Sequence, residues 1–187
     1  MDLRAESINW NCPAGRQLDE LVRLLPPDPR LDITVFGSAP LQMLVDPSFL
    51  SQDIDVFAPE ETYEFLADFV RGRGLGPEKA EFYIQVCSPF AFRSASDWRS
   101  RALEVQRHGH LLRFVHPWDI LVSKLQRLEE KDLDAFRLLI ARTGQPTEEE
   151  FIRHLRKAVD LYRPKFDEEA GLGDIFNNTK LLWHTLW

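Results

Sequence analysis

Two carboxylates one residue apart, Asp53 and Asp55, interrupt an otherwise apolar stretch, DIDVFAP at 53–59. In a strand, successive side chains point to opposite faces, so Asp53 and Asp55 share one face and Ile54 and Val56 the other. Two like charges held close and partly buried are costly. Either a cation sits between them, or each finds its own hydrogen bonds or water. Oxygen-only donors at short spacing, with no nearby Cys or patterned His, favour Mg²⁺ or Mn²⁺ over zinc. Mg²⁺ is usually held by one or two carboxylates together with substrate phosphates. Upstream, Gly37-Ser38 follows the apolar run LDITVF, where a strand should end and a helix begin. A glycine lets a phosphate approach the backbone, and free N–H groups with a Ser hydroxyl supply donors. A Gly-Ser after a strand is by itself a common turn, and a solitary Asp-x-Asp is commonly solvated. The combination, with 14 residues between Ser38 and Asp53, reads as a seat for a nucleoside triphosphate and its metal.

Such a site needs strands and helices to aim it. Residues 15–25 set Leu18, Leu21, Val22 and Leu25 on one helical face before Pro26-Pro27. Residues 31–37 read as a strand and 39–45 as a short helix with Pro40 in its first turn. A second strand follows at 53–59, then an amphipathic helix at 60–71 opened by Glu60 and Glu61. A third strand is expected at 80–90, and a hairpin at 102–117 turning near His108-Gly109-His110. After Pro117, apolar residues recur at helical spacing from Ile120 to Ile140, as far as a C-cap at Gly144. Thr147 and Glu150 form a capping box that opens a further helix, and the apolar tail KLLWHTLW is expected to dock onto the body. The expectation is an α/β (α+β) chain: a core at 1–117 and a C-terminal helical extension at 118–187 packed on it, as two parts or as one single domain, with no Pro/Gly/Ser-rich linker between.

Gly37-Ser38 with Asp53-Ile54-Asp55-Val56 resembles the signature of the DNA polymerase beta-like nucleotidyltransferase superfamily. That signature is an apolar residue, Gly, then Gly or Ser, a variable gap, then Asp-apolar-Asp/Glu-apolar. Ser51 stands where such proteins often carry Ser or Thr. Residues 116–139, HPWDILVSKLQRLEEKDLDAFRLL, resemble the helical segment of bacterial nucleotidyltransferase-like proteins of the abortive-infection/toxin–antitoxin kind. Asp119, Lys124, Arg127, Lys131 and Asp132 carry that match, while its final acidic position holds Ala135, with Asp134 one place early. The resemblance implies a small mixed β-sheet of the nucleotidyltransferase type packed with helices. It also implies transfer of a nucleoside monophosphate from an NTP to an RNA end, a protein hydroxyl or a small molecule. Asp53 and Asp55 would bind Mg²⁺ (or Mn²⁺), Gly37 and Ser38 the triphosphate, and Lys124 and Arg127 phosphate or leaving pyrophosphate. Lys124 equally suits an ion pair with Asp132. The family usually has a third carboxylate on a neighbouring strand as general base. FYIQVC offers Gln85 and no acid; ALEVQ offers Glu104, which is therefore the candidate.

A net charge of −7 argues against broad, sequence-blind nucleic-acid binding. Arg93, Arg99, Arg101, Arg107 and Arg113 nevertheless form a local basic run, either a solvated hairpin surface or a seat for triphosphate or an RNA end. Two cysteines without metal spacing, an N-terminus without an apolar h-region and no run of ~18–20 apolar residues point to a cytoplasmic protein without a membrane span. Two alternatives stand beside the enzyme. One is a catalytically degenerate nucleotide-binding or partner-binding protein of a toxin–antitoxin-like system, whose tail with Trp183 and Trp187 would meet a cognate antitoxin or toxin partner. The other is a glycosyltransferase with a diphosphate-binding Asp-x-Asp, disfavoured by the Gly-Ser element and the lack of a large second domain.

Overall fold

Five strands form one mixed sheet in the order β3-β2-β1-β5-β4. They are β1 (Asp32–Val35), β2 (Asp53–Phe57), β3 (Tyr83–Val86), β4 (Leu103–Arg107) and β5 (His110–Phe114). β1 runs antiparallel to β2 and parallel to β5; β2 and β3 are parallel; β4 and β5 form an antiparallel hairpin. The helices are α1 (Pro13–Leu24), α2 (Ala39–Leu44), α3 (Glu60–Gly72), α4 (Pro117–Ser123) and α5 (Glu130–Thr143). The computed structural model describes residues 3–49, 52–79, 82–126, 128–145, 147, 149–151, 153, 178, 181, 182 and 184. The expected positions of Ser51, Arg127, Trp183 and Trp187, and most of the helix after Thr147 and of the tail, lie outside them. Among the described residues no helix is long and apolar enough to cross a membrane.

Alternation along the strands sorts the sheet into two chemically distinct faces. Ile33, Val35, Ile54, Val56, Ile84, Leu112 and Phe114 are buried in one cluster with Leu18, Leu21 and Val22 of α1 and Leu66 and Val70 of α3. Each fully buried aliphatic side chain of this kind contributes roughly 1.5–3 kcal/mol. The register places Asp53, Asp55, Gln85, Thr34, Arg113 and Glu104 on the opposite face. The apolar residues of β2 therefore hold the strand down while its two acids face away from the core.

Several elements differ in extent from the sequence expectation. β3 is shorter, because Phe82 has φ 52° and Ser88–Ala91 form a turn closed by Ala91 N–H to Ser88 O (2.8 Å). The β4–β5 turn carries positive φ at both His108 (47°) and Gly109 (90°), the geometry of a two-residue hairpin. The helical run after Pro117 breaks at Leu128, whose φ is 40°. There Glu129 and Asp132 exchange side-chain-to-backbone hydrogen bonds as a capping box and start α5 afresh. Thr147 and Glu150 make the capping box expected of them: Glu150 N–H donates to Thr147 Oγ1 (3.3 Å) and Thr147 N–H to Glu150 Oε2 (2.9 Å).

The chain divides into two units. One comprises Met1–Phe92 and Arg101–His116 and contains the whole sheet; the other comprises Arg93–Ser100 and Pro117–Trp187.

Candidate active site

Gly37 and Asp55 meet directly. β1 ends in a backbone bond from Phe36 N–H to Asp55 O (3.0 Å), so the chain turns beside Asp55. Gly37 adopts φ +66°, a conformation that side chains resist. A Cβ built on it would collide with Asp55 Oδ2 and lie 3.0 Å from Asp55 Cγ. Conformation and space both demand glycine here. Ser38 follows as the N-cap of α2, and its hydroxyl makes no capping hydrogen bond.

Gln42 fixes α2 and, with it, the Gly-Ser turn. It is 1% exposed, accepts from Ala14 N–H through Oε1 (2.8 Å) and donates to Phe49 O through Nε2 (2.9 Å). One amide thus ties α2 to the start of α1 and to the chain that leads toward β2. Sequence reasoning missed this residue; a glutamine inside the apolar APLQML segment was the available signal.

On the other side of β2, Gln85 stands opposite Asp55 in the parallel register. Cys87, just past β3, places its S–H within reach of both Asp55 Oδ1 (3.6 Å) and the Gln85 carbonyl (3.6 Å). Burial pushes the Cys87 thiol up to about 12, helped by the charge of Asp55, the bond to it and the charge of Asp53. Cys87 is consequently a protonated thiol beside Asp55, not a thiolate nucleophile. Its proximity to the acids, one residue beyond the strand that carries Gln85, was not anticipated from the sequence.

Glu104 does not join this corner. It lies on edge strand β4, opposite Arg113 of β5, with β5 and β1 between it and β2. Three strand spacings amount to roughly 14 Å, beyond shared coordination of one ion. Arg113 Nε donates to Glu104 Oε1 (2.9 Å), and its Nη1 and Nη2 donate to Asp32 (2.9 and 3.1 Å). Arg107 is likewise bonded to Asp19 (2.6 Å) and lies over the Trp10 ring. Two members of the basic run are thereby neutralised locally. Among the described residues no group of three or more His, Cys, Asp or Glu side chains could hold a metal ion.

Lys124 belongs to the second unit. Its Nζ donates to Asp132 Oδ1 at 2.8 Å, with side-chain exposures of 14% and 1%. This is the ion-pair alternative that its place in an apolar stripe suggested. In the same unit, buried Asp119 accepts from Ser94 Oγ at its backbone oxygen (2.9 Å) and at Oδ1 (3.2 Å).

Half-buried Asp53 and Asp55, both oxygen donors, fit a hard divalent cation that completes its shell with water and phosphate. Gly37, lacking a side chain, lets the Asp55 carboxylate lie directly against the turn that opens α2. No curated protein and no solved structure matches the chain. The matching family model spans residues 16–139, from α1 through all five strands and into α5. The chain therefore belongs to the family described as nucleotidyltransferase of unknown function (DUF6036).

Proposed function

We infer that the protein is a metal-dependent nucleotidyltransferase that moves a nucleoside monophosphate from an NTP to an acceptor. The observation that carries this reading is the contact of Gly37 with the Asp55 carboxylate, which joins the two halves of the motif in one corner. Asp53 and Asp55 would hold Mg²⁺ or Mn²⁺, which supplies charge neutralisation for the phosphates when bound. Gly37 lets the Asp55 carboxylate close on the turn, and the Ser38 hydroxyl and nearby N–H groups would donate to phosphate oxygens. The Cys87 S–H lies within reach of Asp55 Oδ1 and can donate to it. The acceptor nucleophile attacks the α-phosphorus and a P–O bond forms. The bond to the bridging oxygen breaks, pyrophosphate leaves with that electron pair, and the acceptor's proton passes to water.

A second reading has one observation behind it. The residue opposite Asp55 on the neighbouring strand is Gln85, an amide that cannot take a proton from an acceptor. The protein would then bind a metal–nucleotide and transfer it poorly, as a nucleotide-dependent partner in a toxin–antitoxin-like pair.

The test is incubation with each labelled NTP, Mg²⁺ or Mn²⁺, and bulk RNA or lysate. Transfer that disappears in Asp53→Ala and Asp55→Ala, with the fold intact by circular dichroism, supports the enzyme. Transfer that persists in both variants excludes this site. Metal-dependent nucleotide binding without transfer favours the second reading.

A further inference from the structure

The short loop that leaves β3 is fastened at both ends to the candidate site. At one end Cys87 bonds the Asp55 carboxylate. At the other, Phe92 is buried against Phe36, the residue before Gly37, with ring centroids 5.4 Å apart; Phe36 in turn packs on Phe57 of β2 at 5.6 Å. Between them Ser88–Ala91 form a β-turn, closed by Ala91 N–H to Ser88 O (2.8 Å). Pro89 occupies its second position, where a fixed φ is suited. Phe90 N–H donates to Ser88 Oγ (3.3 Å), which stiffens the turn further. At the third position the Phe90 side chain is 80% exposed. The next most exposed large apolar residues among those described, Leu181 and Phe65, reach 48% and 36%.

A single exposed apolar residue is ordinary. This one is set apart by its mounting. A β-turn spans less than about 7 Å between its end Cα atoms, so Phe90 stays close to the strand end that touches Asp55 and to the ring beside Gly37. A nucleotide whose phosphates lie at Gly37 and Asp55 carries its base one ribose away from them. A ring carried on this turn and left open to solvent offers that base a stacking surface.

We propose that Phe90 is the nucleobase platform of this site: held on a stiff turn anchored at Asp55 and Phe36, its ring stacks on the base of the bound triphosphate. The proposal rests on the nucleotidyltransferase reading and adds a specificity to it. Every base has a π-face, so a stacking platform accepts purines and pyrimidines without hydrogen-bond discrimination. The substrate class is nucleoside triphosphates of any base, with purines ahead through their larger area.

Calorimetric binding of ATP and of inorganic triphosphate, each with Mg²⁺, tests it. Stacking of one base corresponds to about 5- to 150-fold in affinity. Phe90→Ala should weaken ATP by that factor and leave inorganic triphosphate unchanged. Phe90→Trp should keep ATP binding, with a fluorescence quench on ATP addition that exceeds the wild-type signal. If Phe90→Ala binds ATP as tightly as wild type while Asp55→Asn binds neither ligand, the platform is wrong and the phosphate site stands. Equal weakening of ATP and inorganic triphosphate in Phe90→Ala also overturns it, since the ring would then act on the phosphates or the fold. Wild-type protein that binds neither ligand overturns both the platform and the reading beneath it.

Discussion

The Asp55 carboxylate fills the space that a side chain on Gly37 would need. Gly37→Ala therefore combines two penalties. The left-handed backbone costs an L-residue roughly 1–2 kcal/mol, and the methyl displaces the carboxylate. Gly109 provides the control, because it has φ +90° and open space around its Cα. Both alanine variants should lower the melting temperature by a few degrees. Only Gly37→Ala should also abolish the thermal upshift produced by Mg²⁺ with ATP. Equal ligand upshifts in both variants would mean that Gly37 matters for its conformation alone.

Cys87 should be an unusually slow thiol. Its pKa of about 12, against 9.0 for the free side chain, leaves on the order of 1,000-fold less thiolate at pH 8. Burial is the first cause and the Asp55 carboxylate the next. Asp55→Asn removes that charge but not the burial, so iodoacetamide should modify Cys87 faster in the variant while remaining slower than with a free thiol. Peptide mass mapping separates Cys87 from buried Cys12. An unchanged rate at Cys87 would argue against the S–H bond to Asp55.

His110 should make folding stability fall in mild acid. It is fully buried at the start of β5; its Nδ1 accepts from Leu31 N–H (3.1 Å), and its Nε2 has no hydrogen-bond partner among the described residues. Burial lowers its pKa below 6.5, reinforced by the charges of Arg30 and His108. Above pH 6.5 the ring is neutral in both folded and unfolded chains, so this residue adds no pH dependence. Below it, the unfolded chain takes up a proton that the folded chain refuses. Stability then falls by up to about 1.4 kcal/mol per pH unit until the folded-state pKa is reached. Urea midpoints between pH 7.5 and 5 should show this decline in wild type and a shallower one in His110→Gln. Parallel slopes would assign the decline to other groups.

The mixed α/β architecture was legible because hydrophobic period and turn chemistry agree along the first 117 residues. Ile33, Val35, Ile54 and Val56 are spaced for one buried face, and they are where the core lies. The meeting of Gly37 with Asp55 could be expected from the paired motif, since each half sits at a strand boundary. Strand order could not be read, and it decides the fate of Glu104. The carboxylate nearest in sequence to a plausible third position falls on the far edge because β1 and β5 pair in parallel between. Cys87 and Gln42 escaped notice for a related reason. Their partners are 32 and 28 residues away, and a side-chain hydrogen bond across that span leaves no periodic trace. The break at Leu128 was hidden because Glu is an uncommon N-cap, so Glu129 with Asp132 did not read as a helix start.

Two roles compete for the one ammonium group of Lys124. Its 2.8 Å bond to Asp132, whose side chain is 1% exposed, makes it the counter-charge of a buried carboxylate. Removing one member of such a pair strands the other, at about 3–5 kcal/mol. Lys124→Met should therefore lower the urea midpoint strongly. Lys124→Met with Asp132→Asn should recover most of that loss, since the amide leaves no buried charge and its oxygen still accepts from Glu129 N–H in the capping box. The double variant then isolates the second role, because it folds without the ammonium. If Lys124 serves only Asp132, the double variant keeps the wild-type thermal response to Mg²⁺ and ATP, which is the outcome expected from the geometry. A double variant as stable as wild type that no longer responds to the nucleotide would return Lys124 to the phosphates, as the resemblance of residues 116–139 implies.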